Sequence, residues 1–187
     1  MTDAGPLLTL QFQELSTPIH SAPQADLAVN LALPIGADAL ARDVLRHAPP
    51  RPLQVEQAIE AVEDAVMPAR AQLPATFRLQ TGDALLRALA AHAAQPAVPH
   101  AAPHAGTDAA PEPQWLSIDA VEDLFTRLAA RVEGRPASQD DLPVDGPSAA
   151  RLVIVREMLH HWHLDGLLLS ACAGAPGRLA TAAARES

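Results

Sequence analysis

The chain has no lysine and no tyrosine, and only one cysteine among its 187 residues. Without lysine, all 13 basic residues are arginine, set against 22 acidic ones, and the formal charge is −9. No concentrated cationic surface is therefore available to phosphate backbones or anionic headgroups, and neither nucleic-acid binding nor membrane docking is expected. Cys172 alone cannot close an intramolecular disulfide or build a multi-thiolate zinc or iron–sulfur framework. That usage fits a reducing cytoplasm. The residue also has no basic neighbour nearer than Arg178 to activate it as a nucleophile.

Other signatures are missing as well. There is no Gly-x-Ser-x-Gly elbow, no Gly-x-x-x-x-Gly-Lys and no Gly-x-Gly-x-x-Gly, so hydrolase-elbow, P-loop and dinucleotide-binding readings lose support. Asp3 stands where a secretory signal would carry positive charge, and no long apolar stretch follows it. The most apolar runs, 152–155 and 167–169, fall far short of the roughly 20 residues that cross a bilayer. Aromatics make up 3% of the chain and prolines number 18, while 49% is hydrophobic, much of it alanine. Such a composition predicts small-side-chain helices interrupted by proline, with enough apolar residues for one core.

Along the chain, Leu8, Leu10 and Phe12 alternate with polar residues, as do Leu27, Val29, Leu31 and Leu33 with Ala28, Asn30 and Ala32. Both read as half-buried strands joined across Ser16, Thr17, Pro18 and Pro23 into an antiparallel hairpin with a long loop. Residues 76–80 offer a third short strand. Helical spacing begins after Gly36, resumes behind Pro52, and starts again near Thr81 or Asp83 as far as about Ala93. Residues 94–114, with Pro96, Pro99, Pro103, Pro111 and Pro113, read as a flexible linker. Leu116, Ser117 and Val121 make a staple-and-cap start for the next helix, and a last helix is predicted over 149–164. Its first half is apolar almost all round, as in a helix central to the core or buried in an interface.

The resulting expectation is an α+β protein: a small antiparallel sheet of two to three strands packed with helices, plus a C-terminal helical hairpin. Region 1–93 carries the sheet, 94–114 the linker, 115–170 a hairpin packing on the first region or on another copy, and 171–187 a flexible tail.

Chemistry is concentrated in one place. The run Arg156-Glu157-Met158-Leu159-His160-His161-Trp162-His163 holds three of the eight histidines. On a helix, residues three and four apart are neighbours, so Glu157 shares a face with His160 and His161. One carboxylate and two imidazoles suit a divalent metal, with Glu122 or Asp123 on the preceding helix as further donors. The second Glu-x-x-His of a carboxylate-bridged di-metal bundle is absent, and so is a zinc-protease His-Glu-x-x-His. As the alternative to ligation, the two histidines complement the helix dipole at its C-terminal turn. Two near-identical segments, Ile59-Glu60-Ala61-Val62-Glu63-Asp64 and Ile118-Asp119-Ala120-Val121-Glu122-Asp123, differ only at Glu60 against Asp119. Their acidic triplets could hold magnesium if they faced one another, but they lie opposite the apolar stripes, as a solvated acidic face does.

With catalytic motifs missing, the functional expectation is a cytoplasmic, non-enzymatic accessory or protein-interaction protein that self-associates, with a protein or a second copy as partner and no cofactor. The alternative is a metal-binding protein or metal-dependent enzyme built on Glu157, His160 and His161. A fainter option is a pH-sensing regulator, since histidines titrate near neutrality.

Overall fold

The computed structural model describes residues 5–22, 27–93 and 112–170. Strands β1 (Leu7–Leu10), β2 (Thr17–Ser21), β3 (Asn30–Leu33), β4 (Arg78–Thr81), β5 (Gln114–Ser117) and β6 (Gly166–Leu169) form one sheet in the order β3-β2-β1-β4-β6-β5. β1 pairs antiparallel with β2, and β2 with β3, while β1, β4 and β6 run parallel and β5 returns antiparallel to β6.

This corrects the expected fold class. The sheet is six-stranded and mixed rather than an antiparallel one of two to three strands, and the C-terminal helices, expected as a hairpin added to the sheet region, lie between two of its strands, β5 and β6. The two long alternating segments do not pair with each other, because β2 lies between them. β2 was hidden by Pro18, which reads as a loop residue; in the sheet it supplies its carbonyl, accepting from the Gln11 N–H at 3.0 Å, and has no N–H to satisfy.

Five helices connect the strands: α1 (Ala37–Asp43) and α2 (Pro52–Ala69) between β3 and β4, α3 (Ala84–Ala93) after β4, and α4 (Ile118–Val132) and α5 (Gly146–Trp162) between β5 and β6. α1 and α2 lie in the parallel connection from β3 to β4, and α1, α2, α3 and α4 all pack against α5, which gathers the helices on one face of the sheet. Burial agrees: Leu8, Leu10, Ile19, Leu33, Leu79, Leu116, Leu167 and Leu169 are buried, whereas Thr9, His20, Gln80 and Leu168 are half-buried and Arg78 and Trp115 exposed.

The helix starts follow local chemistry. Pro52 occupies the first position of α2, the Asp83 carboxylate accepts from the Leu86 N–H at 2.7 Å ahead of α3, Ser117 accepts from the Ala120 N–H to cap α4, and Asp145 accepts from the Ser148 N–H at 3.0 Å to cap α5. Gly36 precedes α1 because a Cβ there would stand 2.0 Å from the Glu14 carbonyl oxygen of the β1–β2 loop.

α5 packs against α1, α2, α3 and α4, and is buried from Ser148 to Val155 and again at Glu157, Met158, Leu159 and Trp162. The helix whose first half is apolar almost all round is thus the centre of the core. The Trp162 indole N–H donates to the Val66 carbonyl at 3.0 Å, tying the end of α5 to α2. Among the described residues no helix is long and apolar enough to cross a membrane. The linker and tail expectations fall largely on 94–111 and 171–187, outside the described residues, as does Cys172.

Candidate metal centre between α2 and α5

The last turns of α5 project side chains toward both flanking helices. His160 and His161 are consecutive, so they diverge by about 100° around the axis, given 3.6 residues per turn. His160 turns to α4, where its Nε2 bonds the Glu122 carboxylate. His161 turns to α2, where its Nε2 lies 3.3 Å from Glu63 Oε1, and it also stands 3.6 Å from Oε2 of Glu157, one turn earlier on its own helix. Glu63, Glu157 and His161 bring three ligand atoms within 4.8 Å of one another.

Glu157 is the unusual member, with its side chain only 3% exposed. A buried carboxylate needs compensation, and Arg156 supplies it: Nη1 donates to Glu157 Oε1 at 2.6 Å. Arg156 is itself held, its guanidinium 4.3 Å above the Phe125 ring and its Nε 2.9 Å from Glu122 Oε1. One oxygen of Glu157 is thereby occupied by Arg156 and the other faces His161. With both histidines neutral, Glu63, Glu122, Glu157 and Arg156 leave two negative charges in this cluster, the charge a divalent cation balances.

Spacing and donor type can be tested against such an ion. Zinc bonds of about 2.0–2.2 Å in a tetrahedral shell put neighbouring ligand atoms roughly 3.4 Å apart. The two separations from His161 Nε2, 3.3 and 3.6 Å, bracket that value, and the two carboxylate oxygens lie within 4.8 Å of each other. One imidazole nitrogen with two carboxylate oxygens suits Zn²⁺ or Mn²⁺ better than Ca²⁺ or Mg²⁺, which take oxygen shells. The residues present therefore fit a three-ligand site with open positions.

Of the residues singled out in the sequence, Glu157 and His161 come together, and His160 instead pairs with Glu122. Asp123 is exposed on α4. Glu63 was visible only as part of an acidic triplet. The two triplets do not face one another, because α5 lies between them, with Glu63 reached from His161 and Glu122 from His160.

At the opposite end of α5, beyond the carboxyl ends of β1 and β4, Arg151 is almost fully buried between two carboxylates: Nε is 3.0 Å from Asp83 Oδ2 and Nη1 3.3 Å from Asp38 Oδ1. Its guanidinium also lies 5.4 Å from the centre of the Phe12 ring. This arginine is committed to joining α1, α3 and α5.

No protein-family model and no curated protein matches the sequence. Solved structures do match the fold. A Ppx/GppA phosphatase of Aquifex aeolicus, in its type II variant, superposes with a TM-score of 0.61 at 16% identity, over 92% of this chain and 55% of its own. An exopolyphosphatase from Cytophaga hutchinsonii gives 0.63 at 15% identity, over 90% and 54%. An exopolyphosphatase-like protein gives 0.57 at 13% identity, over 87% and 52%. The chain thus spans about half the length of these proteins and shares a Ppx/GppA-like fold. The expectation of a non-enzymatic accessory protein with a small α+β fold is corrected accordingly: its structural neighbours are enzymes, and identities this low carry the fold alone.

Proposed function

We propose that this protein is a divalent-metal-dependent hydrolase of phosphate esters or phosphoanhydrides, with Glu63, Glu157 and His161 holding the cation. The observation that carries the reading is the convergence of a buried, arginine-anchored carboxylate with an imidazole and a second carboxylate from a neighbouring helix. The names of the structural neighbours, phosphatase and exopolyphosphatase, support the choice of substrate class. A bound divalent ion there supplies Lewis acidity toward a phosphoryl oxygen.

The chain's own residues do the positioning. Arg156 fixes the orientation of the Glu157 carboxylate, and the Phe125 ring and Glu122 fix Arg156, so the donor set is preorganised before any ion arrives. His161 offers its Nε2 and the partly exposed Glu63 completes the set from the solvent side. A cytoplasmic setting belongs to the same proposal, supported by the single cysteine.

Phosphate release from polyphosphate and from a phosphate monoester tests this, measured with purified full chain against rising Mn²⁺ or Zn²⁺. Saturable metal-dependent release is expected, falling at least tenfold in Glu63→Gln and His161→Ala while far-ultraviolet circular dichroism stays unchanged. Release that ignores metal, or variants that match the wild type, would overturn the assignment.

A further inference from the structure

A pocket of about 540 Å³ lies between α1, the segment that follows it, and the first turn of α5, on the side of the sheet where β1 and β4 end. In open sheets with parallel strands, ligands settle outside the carboxyl ends of those strands. The pocket floor is apolar, made by Ala41, Leu45, Ala48 and Pro147, and its rim carries Asp38, Arg42, Arg46 and His47. None of these residues belongs to the Glu63–Glu157–His161 cluster.

The rim groups differ in what they have left to offer. All three guanidinium nitrogens of Arg42 are engaged, by Asp43 and by Glu14. Asp38 is turned to Arg151. Among the described residues Arg46 is bonded through Nε alone, which donates to the Asp43 carbonyl at 2.8 Å, and neither terminal nitrogen has a partner there.

His47 is oriented by its neighbours. The Arg51 backbone N–H donates to the side-chain oxygen of Gln54 at 2.9 Å, which fixes which end of that amide is oxygen. His47 Nδ1 lies 3.0 Å from the same oxygen. An amide oxygen only accepts, so Nδ1 must carry the hydrogen, and in the neutral ring Nε2 is the lone-pair acceptor.

We infer that this pocket binds a small hydroxycarboxylate. Its carboxylate lies on the free face of the Arg46 guanidinium, its hydroxyl donates to His47 Nε2, and its short hydrocarbon body covers Leu45, Ala41 and Pro147. The rim charges favour a single negative charge: among the described residues Arg46 is the rim's one uncommitted cation, while the Asp38 and Asp43 carboxylates are bonded to Arg151 and Arg42, so a dianion would go unbalanced. The hydroxyl gives the oriented Nε2 a donor that a deoxy analogue lacks, and this makes it the group the pocket discriminates by.

The test is calorimetric titration of the full chain with 2-hydroxy-4-methylpentanoate, its deoxy analogue 4-methylpentanoate, and inorganic phosphate, alongside Arg46→Ala, His47→Ala and, as a distant control, Arg135→Ala. One-to-one saturable binding of the hydroxy acid is expected, at least tenfold tighter than the deoxy analogue. Arg46→Ala should weaken both acids at least tenfold, and His47→Ala should erase the difference between them. Arg135→Ala should change nothing. Long-range proton–nitrogen spectra should show the neutral His47 ring protonated on Nδ1. Equal binding of the two acids, tighter binding of phosphate, equal effects of Arg135→Ala and Arg46→Ala, or an Nε2-protonated ring would each overturn the inference.

Discussion

Replacing Asp140 by asparagine isolates one charge that the fold relies on. The Asp140 side chain is 4% exposed and clasped by Arg127, whose Nη2 donates to Oδ1 at 2.6 Å and whose Nε donates to Oδ2 at 3.0 Å. The Leu142 N–H adds a bond to Oδ1 at 3.0 Å. Arg127 in turn donates to the His92 carbonyl at 2.8 Å, so the clasp joins α4 to the end of α3 and to the segment leading into α5. Hydrogen bonding from Arg127, and secondarily from Leu142, against the opposing cost of burial, pulls the Asp140 carboxyl from 3.8 down to about 2. A shift of that size corresponds to about 2 kcal/mol of stability at neutral pH. Because the folded-state value is the lower one, the contribution is complete above about pH 4 and is lost as pH falls through about 2. Asparagine keeps the shape and the Leu142 contact but not the charge. At pH 7 Asp140→Asn should therefore unfold about 2 kcal/mol more easily, lowering the melting temperature by roughly 4–8 °C for a chain this size. Urea titrations of both proteins between pH 2 and 7 should show that difference shrinking toward zero at the acid end. A gap that persists unchanged at pH 2, or none at pH 7, would mean that the Arg127 clasp does not stabilise the ionised Asp140 carboxylate.

Two further substitutions probe the frame that holds the candidate metal centre. Gly166→Ala would place a Cβ 2.3 Å from the Leu116 carbonyl oxygen, at a φ of +156°, so β6 could no longer pair with β5; more than 3 kcal/mol of destabilisation or insoluble expression is expected, read by denaturant unfolding and soluble yield. Trp162→Phe removes the indole N–H from the Val66 carbonyl and should cost about 1–3 kcal/mol in urea unfolding.

Which features were legible in the sequence follows from the length scale of each signal. Helix starts were local: Gly36, Pro52, Asp83 and Ser117 each mark a beginning through their own backbone or side-chain chemistry. Four-residue strands give few alternations, and β1 and β3 were legible because the alternation runs on beyond them, to Phe12 in one and from Leu27 in the other. β5 was masked because Ser117, its last residue, is also the cap of α4, so the residues before it read as a staple. β6 reads Gly-Leu-Leu-Leu, without alternation, since three of its four residues are buried. The same scale separates the site residues. Glu157 and His161 meet through helical spacing within α5, which sequence shows directly. Glu63 joins them only because α2 packs beside α5, and the divergence of His160 toward Glu122 depends on α4 lying on the other flank. The functional expectation failed for a related reason: it leaned on missing short motifs, while the likeness to phosphatase structures resides in the strand order and helix arrangement.

The most direct test of the metal reading is anomalous diffraction at the zinc edge from crystals of the full chain grown with stoichiometric Zn²⁺. One strong peak is expected about 2.0–2.2 Å from Glu63 Oε1, Glu157 Oε2 and His161 Nε2. A peak at His160 and Glu122 instead, or none on α5 at all, would contradict the metal reading.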